Sequence, residues 1–279
     1  MLWLDGAVFP ESHAPFDLSD RGLLLGDGVF DTALVLNGRI FHAEAHFRRL
    51  IDALATLGID ADHNAIRRAA AALIPNAERH ALRITVTRGP GLRGLAPTGP
   101  QKPTVMASLS VLPPGFFWPR LSMDVAAVRR NETSPLSRLK ALSYLDAILA
   151  MREAAGKGCN DVLFLNCAGR VACASVGNLF ALFGDELVTP PISDGVLPGV
   201  IRGFLLAECG GLGLTARERS LDLVELRNAD AAFMTNSLRL IAPVERMGGA
   251  AISAKGAGII EALQRHLRRA IAAECGIAP

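Results

Sequence analysis

Aromatic side chains and cysteines are both sparse in this sequence. Only 5% of its 279 residues are aromatic, Tyr144 is the single tyrosine, and the five cysteines include no C-x-x-C pair. An odd number of isolated cysteines suggests neither a disulfide framework nor a zinc site. The six histidines also form no H-E-x-x-H motif of metal ligands. We therefore expect reduced thiols, as in the cytoplasm, and no bound metal.

A strong excess of one charge and a long apolar run are missing as well. The formal net charge is +2, and the basic residues are dispersed, so no surface is suited to a nucleic-acid backbone. The longest uncharged stretch, residues 103–119, is broken by Pro113 and Pro114, which makes it unsuited to a bilayer span. The N-terminal residues lack the basic start and apolar run of a signal peptide. We expect a soluble cytoplasmic protein without nucleic-acid or membrane partners.

Residues 1–115 are predicted to form a small α+β domain. Asn37-Gly38 separates two apolar runs, which is typical of a β-hairpin. Residues 43–57 carry apolar side chains every three or four positions and residues 65–73 resemble them, which predicts two amphipathic helices. Strands are predicted at residues 81–87 and 104–112, with the glycine-rich turn of residues 88–94 between them.

Residues 116–135 are predicted to be a linker between domains, because Pro113-Pro114-Gly115 and the polar residues 129–137 bracket this part of the chain. Residues 136–279 then form a larger α/β domain. Helices are predicted at residues 141–155 and 259–273, with another that begins at Pro198-Gly199. Strands are predicted near residues 161–165 and 176–183. The fold class is therefore mixed, with a small α+β domain followed by a larger α/β domain.

Lys140 precedes a predicted helix and has apolar neighbours on both sides. Burial lowers the pKa of a lysine, and the neutral amine is a nucleophile that can form a Schiff base. The alternative is an ordinary lysine that extends its amine into solvent. Tyr144 lies four residues later, so on a helix the two side chains would share one face. Its hydroxyl could then meet a ligand near the amine, and a half-buried tyrosine with a hydrated hydroxyl is the alternative.

Several other residues are candidates for binding an anion. Residues 197–202 end a loop and begin a helix, where unpaired amides attract anions. Residues 235–237 place hydroxyl and amide groups after an apolar strand, where ligands often bind. Arg49 and Arg93 could each grip an anion with two guanidinium nitrogens. Each signal alone also has an ordinary explanation, as a helix start, a strand-to-turn junction or a solvated arginine.

Six motifs occur in order along nearly the whole chain. They are Gly26-Asp27-Gly28-Val29-Phe30-Asp31-Thr32, His46-x-x-Arg49-Leu50, Leu139-Lys140-Ala141-Leu142-Ser143-Tyr144, Asn178-Leu179-Phe180, Pro198-Gly199-Val200-Ile201-Arg202, and Thr235-Asn236-Ser237-Leu238 before Pro243-Val244. Together they resemble the class IV aminotransferase family, which includes branched-chain and D-amino-acid aminotransferases and 4-amino-4-deoxychorismate lyase. The resemblance implies a fold type IV pyridoxal-phosphate enzyme, a homodimer, and a small amino-acid-like substrate.

The resemblance also implies the cofactor contacts. Lys140 matches the lysine that holds pyridoxal 5'-phosphate as a Schiff base and then moves the substrate's α-proton. Arg49 matches the arginine that binds the cofactor phosphate. The other candidate cofactor contacts are Tyr144, the backbone amides of Val200 and Ile201, Asn236 and Ser237. Ile201 lacks the hydroxyl that many relatives place there, so one hydrogen bond to the phosphate is lost.

Phe30 and Arg93 match positions that face the substrate in relatives, Arg93 being where D-amino-acid enzymes hold the substrate carboxylate. Cys173 is the clearest departure from the family. It stands five residues before Asn178, where relatives place a glutamate against the pyridine nitrogen of the cofactor. A neutral thiol cannot keep that nitrogen protonated, which predicts a weaker electron sink.

Three functions remain open. The sequence Asn236-Ser237-Leu238 and the turn that carries Arg93 favour the lyase, which would convert 4-amino-4-deoxychorismate to p-aminobenzoate and pyruvate for folate synthesis. The second is a transaminase for branched-chain or D-amino acids. The third is a cofactor-binding protein that keeps the fold and has lost the chemistry.

Overall fold

The computed structural model describes residues 1–10, 13–75 and 79–279. This part of the chain forms two compact units. The first unit comprises Met1–Pro113, Leu139–Ser143 and Ile271–Pro279, and the second comprises Pro114–Arg138 and Tyr144–Ala270. Each unit contains helices and sheet, as the sequence predicts.

The limits of these units differ from the predicted domains in two places. Residues 116–135, predicted to be a linker, belong to the second unit and contain the strand β7 (Leu121–Val125). Leu121 and Met123 on that strand are fully buried, so they contribute to a core that the flanking prolines obscure in the sequence. Leu139–Ser143, predicted within the larger domain, groups with the first unit, as does the chain end.

The first unit is a six-stranded antiparallel sheet with helices. Its strands are β1 (Leu2–Leu4), β2 (Ala7–Phe9), β3 (Gly28–Leu36), β4 (Arg39–Ile40), β5 (Arg79–Thr87) and β6 (Thr104–Val111), in the spatial order β2-β1-β6-β5-β3-β4. Its helices are α1 (Arg21–Leu25), α2 (Ala43–Leu57) and α3 (His63–Leu73).

Helices α2 and α3 bury their apolar faces in the core of this unit. Phe47, Leu50 and Leu54 recur on one face of α2 and pack in the same cluster as Ile84 and Val86 of β5. Burial of each such side chain stabilises the fold by roughly 2 kcal/mol. The predicted helix at residues 43–57 is therefore confirmed.

The second unit contains four helices and nine strands among its described residues. The helices are α4 (Leu145–Gly156), α5 (Val200–Glu208), α6 (Leu223–Arg227) and α7 (Ala257–Cys275), of which the last residues, from Ile271, group with the first unit. The strands that follow β7 are β8 (Asp161–Leu165), β9 (Val171–Ala174), β10 (Asn178–Phe183), β11 (Glu186–Thr189), β12 (Thr215–Glu218), β13 (Ala231–Asn236), β14 (Leu240–Met247) and β15 (Ala250–Ala251).

The sheet of the second unit closes on itself. Its order is β12-β11-β10-β13-β14-β7-β8-β9, and β9 also pairs with β10, so six strands form a closed circuit. Side chains such as Met123, Leu163 and Met234 fill its core. None of the helices in the described part of the chain is both long enough and apolar enough to cross a bilayer.

Candidate active site

Lys140 lies in an extended segment, and the prediction of a helix from residue 141 is wrong for its first four residues. The backbone N–H of Phe30 donates to the Lys140 carbonyl at 2.9 Å, and the N–H of Leu142 donates to the Gly28 carbonyl at 3.3 Å. These bonds attach the segment to β3 and keep it extended, so α4 begins only at Leu145.

Gly28 makes this attachment possible. A Cβ atom at this position would lie 2.6 Å from the Val86 carbonyl oxygen and 3.0 Å from a methyl carbon of Leu142. Both separations are shorter than ordinary van der Waals contacts. Glycine at position 28 thus allows the lysine-bearing segment to lie against β3.

Tyr144 immediately precedes α4 and is half-buried. Its φ of −120° and ψ of 16° are not helical. Because neither Lys140 nor Tyr144 is within the helix, the inference that they share a helical face is wrong. The proposal that Tyr144 contacts the cofactor then depends on the family resemblance alone.

The amine of Lys140 lies among an aromatic ring and charged groups. Its Nζ lies 4.4 Å from the ring centre of Phe30, and the guanidinium carbon of Arg83 lies 3.6 Å from the same centre. Burial lowers the pKa of Lys140 to about 8; the positive charges of Arg49 and Arg83 act in the same direction, whereas Asp31 opposes them. A larger share of neutral, nucleophilic amine near neutral pH follows.

Asp31 organises a buried cluster of charged residues in the first unit. His46 Nδ1 lies 2.6 Å from Asp31 Oδ1, and the Arg49 Nε donates to Asp31 Oδ2 at 2.8 Å. A second guanidinium nitrogen of Arg49 donates to Asp31 Oδ1 at 2.9 Å. Burial raises the pKa of Asp31, but Arg49 and His46 outweigh burial and hold it below its ordinary value. Arg49 therefore sits as one partner of a buried carboxylate, and its contact with a phosphate remains a proposal.

Arg93 lies on an exposed turn that is anchored by a neighbouring arginine. The Nε of Arg21 donates to Asp27 Oδ2 at 2.9 Å, and its two terminal nitrogens donate to the Gly94 and Leu95 carbonyls at 2.8 Å each. These bonds fix the backbone beside Arg93 and leave its side chain in solvent.

The start of α5, in the second unit, is fixed by a side chain of β10. The side-chain amide of Asn178 donates to the Leu197 carbonyl at 2.8 Å, which fixes the loop before the helix. A Cβ atom on Gly199 would lie 2.1 Å from Asn178 Oδ1, so a larger residue would displace the Asn178 side chain that holds this loop. Val200 and Ile201 open the helix, and their amides have no partner within it.

The turn after β13 supplies polar side chains. The hydroxyl of Thr235 is buried and has no hydrogen-bond partner among the described residues. Asn236 Oδ1 accepts hydrogen bonds from the amides of Leu238 at 2.9 Å and Arg239 at 2.6 Å, which shapes the turn around Ser237. An unpaired buried hydroxyl is unusual in a folded protein. Together with the amides at the start of α5, it fits a ligand rich in oxygen atoms, such as a phosphate.

Cys173 lies on β9, opposite Asn178 of β10 and Phe164 of β8. Burial raises the pKa of its thiol; the nearby Asp161 carboxylate adds to this effect and Arg130 opposes it. The thiol is therefore neutral near neutral pH. This agrees with the neutral state expected from a buried cysteine in an apolar strand.

Three charged residues near the candidate site were not predicted from the sequence: Asp31, Arg83 and Asp161. Asp31 lies in the first of the six motifs, where nothing in the sequence indicates its partners, and Arg83 appears in the sequence as one arginine of a strand. Asp161 opens a strand and looks like an ordinary boundary residue. Side chains alternate between the two faces of a strand, so Arg83 and Thr85 of β5 lie on the same face. This alternation is the sequence signal that could have indicated the face on which the Arg83 side chain lies.

The model of the family described as amino-transferase class IV matches residues 28–247. The chain belongs to this family. It is 31% identical over 93% of its length to a protein of Methanocaldococcus jannaschii provisionally assigned as a branched-chain-amino-acid aminotransferase, of which it covers 92%. It is 29% identical over 88% of its length to the aminodeoxychorismate lyase of Bacillus subtilis, of which it covers 86%. The solved 4-amino-4-deoxychorismate lyase of Pseudomonas aeruginosa has a TM-score of 0.84 and 31% identity, with 96% of this chain and 98% of that one covered.

This class IV aminotransferase family member is therefore a pyridoxal-phosphate enzyme of fold type IV, as the motifs indicate. The third alternative, a binding protein without chemistry, is not supported. No group of three or more metal-ligating side chains occurs in the described ranges.

Proposed function

We propose that this enzyme is a lyase that converts 4-amino-4-deoxychorismate to p-aminobenzoate and pyruvate. The observation that carries the proposal is the turn of residues 236–238. Its sequence resembles the lyase branch, whereas transaminases more often have glycine and threonine there. Asn236 uses its side-chain oxygen to accept two amides of the turn, bonds that a glycine cannot make. The lyases of P. aeruginosa and B. subtilis among the similar proteins support the same choice.

In this proposal Lys140 holds the cofactor and, once released, takes the α-proton of the substrate on its Nζ. The pKa of about 8 suits proton transfer near neutral pH. The bound cofactor supplies an electron sink for the bond-breaking step. Phe30 keeps the lysine side chain in place through its ring. Arg93 is proposed to bind a substrate carboxylate.

The proposed phosphate contacts are the guanidinium of Arg49, the backbone amides of Val200 and Ile201, and the Ser237 hydroxyl, with Asn236 shaping the turn. Ile201 contributes only its amide, because its side chain is apolar and buried. Cys173 is proposed to face the pyridine nitrogen as a neutral thiol, and Tyr144 to contact the ring. An amide at a helix start bonds a phosphate oxygen well, since the helix dipole adds to the hydrogen bond.

An amino-acid transaminase is the second candidate. The M. jannaschii protein favours it, being as similar to this chain in identity as the P. aeruginosa lyase is. Both reactions begin with removal of the α-proton, so the residues around Lys140 suit either.

The substrate assay separates the two candidates. The purified enzyme loaded with pyridoxal 5'-phosphate is incubated with 4-amino-4-deoxychorismate alone, and separately with amino-acid and 2-oxo-acid pairs. Pyruvate and p-aminobenzoate released without an amino acceptor support the lyase. Transfer of the amino group to a 2-oxo acid without pyruvate release from the chorismate derivative would replace the lyase with the transaminase. The Lys140→Ala variant is the control for reaction without the enzyme's amine.

We also propose a cytoplasmic homodimer with neither a nucleic-acid nor a membrane partner. Exposed leucines support a subunit interface: Leu23, Leu24 and Leu25 of α1 are 57%, 61% and 49% exposed, and Leu92 and Leu95 are 77% and 83% exposed. Contiguous exposed apolar side chains often mark protein contacts. A monomer by sedimentation at micromolar concentration would exclude the homodimer.

A further inference from the structure

The hairpin that carries Ser237 has an unusual backbone. Asn236 at the end of β13 pairs with Leu240 at the start of β14, so residues 237–239 form the turn between them. Leu240 has a φ of +64°, in the left-handed region, and its side chain is fully buried. Hairpins commonly place a left-handed residue at or beside the turn, and glycine usually occupies such a position. Leucine in this conformation is strained and needs surrounding contacts to hold it.

Arg239 supplies those contacts from both sides of its backbone. Its N–H donates to Asn236 Oδ1 at 2.6 Å, and its carbonyl accepts a hydrogen bond from the Trp118 N–H at 3.1 Å. Trp118 is itself in the left-handed region, with a φ of +60°. The hydrogen bond from Trp118 to Arg239 therefore joins two strained places in the backbone, Trp118 itself and Leu240, which follows Arg239.

The guanidinium of Arg239 ends on a buried carboxylate. One of its nitrogens donates to Asp161 Oδ2 at 3.0 Å, and the Asp161 side chain is 0% exposed. Asp161 Oδ1 accepts three further hydrogen bonds, from the Val162 amide at 2.8 Å, the Ser175 amide at 3.1 Å and the Ser175 hydroxyl at 2.6 Å. A buried charge that is fully hydrogen-bonded fixes the geometry of its partners.

We infer that Arg239 and Asp161 are positioning residues that hold the Ser237 turn in the conformation that binds the phosphate of the cofactor. The carboxylate joins β8 to Ser175, which follows Cys173 on β9 by two residues, so one side chain fixes two segments with proposed cofactor contacts. Loss of the pair frees the turn to relax away from the left-handed conformation of Leu240. The phosphate then loses an oriented hydroxyl while the binding of the rest of the cofactor is retained. The inference rests on the proposed phosphate contact of Ser237.

The test compares dissociation constants for pyridoxal 5'-phosphate and for pyridoxal, which lacks the phosphate. The preference for the phosphorylated form is measured for the wild type and for Arg239→Met, Asp161→Asn and Arg239→Lys. We expect the first two to lose about tenfold of this preference, as for a lost charge-assisted contact, with little change for pyridoxal. Arg239→Lys should lose less of the preference than Arg239→Met does, because a single nitrogen makes the bond to Asp161.

Arg217→Met is the matched control, because it removes an arginine that pairs with Glu186 on the neighbouring strand at 3.4 Å and is exposed. It should keep the full preference. If Arg239→Met and Asp161→Asn do not fold, Arg239→Lys and Ser175→Ala decide the matter, and both should reduce the preference by about threefold.

The outcomes separate the inference from the proposed function. A wild type with no preference for the phosphorylated form, or a Ser237→Ala variant that keeps the full preference, would overturn the phosphate contact itself. If Ser237→Ala loses the preference while the variants of Arg239, Asp161 and Ser175 keep it, only the positioning role is wrong. Equal weakening of both ligands would also overturn it, because that is the result of general destabilisation.

Discussion

The Nζ of Lys140 lies 4.4 Å from the ring centre of Phe30, over a ring that Arg83 also contacts at 3.6 Å. An ammonium ion gains from the negative face of an aromatic ring, while a second cation nearby opposes its charge. The side chain is thus held in place while its amine is kept easy to deprotonate.

Lys140→Ala should abolish activity and the visible absorption that develops when the cofactor bonds to the enzyme. The other three lysines, Lys102, Lys157 and Lys255, are exposed, so none of them replaces the buried amine of Lys140. Absorption is recorded after addition of pyridoxal 5'-phosphate to each purified variant. Lys157→Ala, which removes an exposed lysine paired with Asp124 at 2.7 Å, should retain both properties. Visible absorption retained in Lys140→Ala would mean that another lysine bonds the cofactor.

Arg83→Gln should raise the pKa of Lys140, because it removes a positive charge that disfavours the ammonium form. The wild-type amine becomes neutral as the pH rises through about 8. The rate at which the apoenzyme bonds the cofactor should therefore rise with pH through that region, and the midpoint should lie higher in the variant. Stopped-flow absorption over a pH series measures the midpoint. Arg68→Gln, which changes an exposed arginine paired with Asp62, is the control. If its pH midpoint shifts as far as that of Arg83→Gln, the prediction is wrong.

Arg49→Ala should weaken cofactor binding and also lower the free energy of unfolding by about 3 kcal/mol, since it removes the arginine partner of the buried Asp31 carboxylate and leaves only His46. The Asp31→Asn/Arg49→Ala double variant should be less destabilised than the sum of the two single variants. Denaturant unfolding at pH 7 gives these values. The pKa of Asp31 is lowered in the fold, so its stabilising effect is complete above the unfolded pKa of about 3.9 and is lost as the pH falls through the lower folded pKa. If the destabilisation of the double variant equals the sum of the two single effects, Asp31 and Arg49 do not stabilise each other.

Cys173→Glu should speed exchange of the α-proton of a bound amino acid with solvent, because a carboxylate would keep the pyridine nitrogen protonated where the thiol does not. Each pKa unit of such coupling is worth about 1.4 kcal/mol. Proton exchange is followed by NMR in deuterium oxide. Cys173→Gln is the matched control, having the same length without the charge, and should exchange no faster than wild type. A variant with glutamate that folds, binds cofactor and exchanges at the wild-type rate would remove Cys173 from the pyridine nitrogen.

Leu240→Gly should destabilise the enzyme less than Leu240→Ala. Both lose a buried side chain, at a cost of about 2–5 kcal/mol. Glycine also relieves the strain at a φ of +64°, whereas alanine keeps it, a difference of roughly 1 kcal/mol. Thermal unfolding of the two variants gives the order. The reverse order would mean that the left-handed conformation of Leu240 is not strained.

Apolar patterns along the sequence predicted an amphipathic helix and a fully buried strand. The helix at residues 43–57 and the strand at residues 161–165 agree with α2 and β8 in both bounds, because Phe47, Leu50 and Leu54 recur at helical spacing and β8 is apolar from its second residue. Lys140 was singled out as chemically unusual, but its local structure was not predictable. Its backbone is fixed by hydrogen bonds to β3, which lies over a hundred residues earlier in the chain, and such bonds leave no periodic signal in the lysine segment itself.

The charged residues show the same limit. Arg49 was predicted from its motif, yet its two-pronged bond to Asp31 requires α2 to pack on β3, which spacing along the sequence does not specify. The Arg239 and Asp161 pair joins residues 78 positions apart. Only tertiary structure brings such partners together.

The closed circuit of β10, β13, β14, β7, β8 and β9 has a consequence for how the second unit opens. Each of these six strands has a paired neighbour on both sides. Release of any one of these strands therefore requires two hydrogen-bonded seams to separate, whereas β12 is released when its single seam with β11 separates. The amides of the circuit should exchange with solvent together and slowly, and strand-to-strand association between molecules through this sheet is directed to its outer strands, β12 and the short β15.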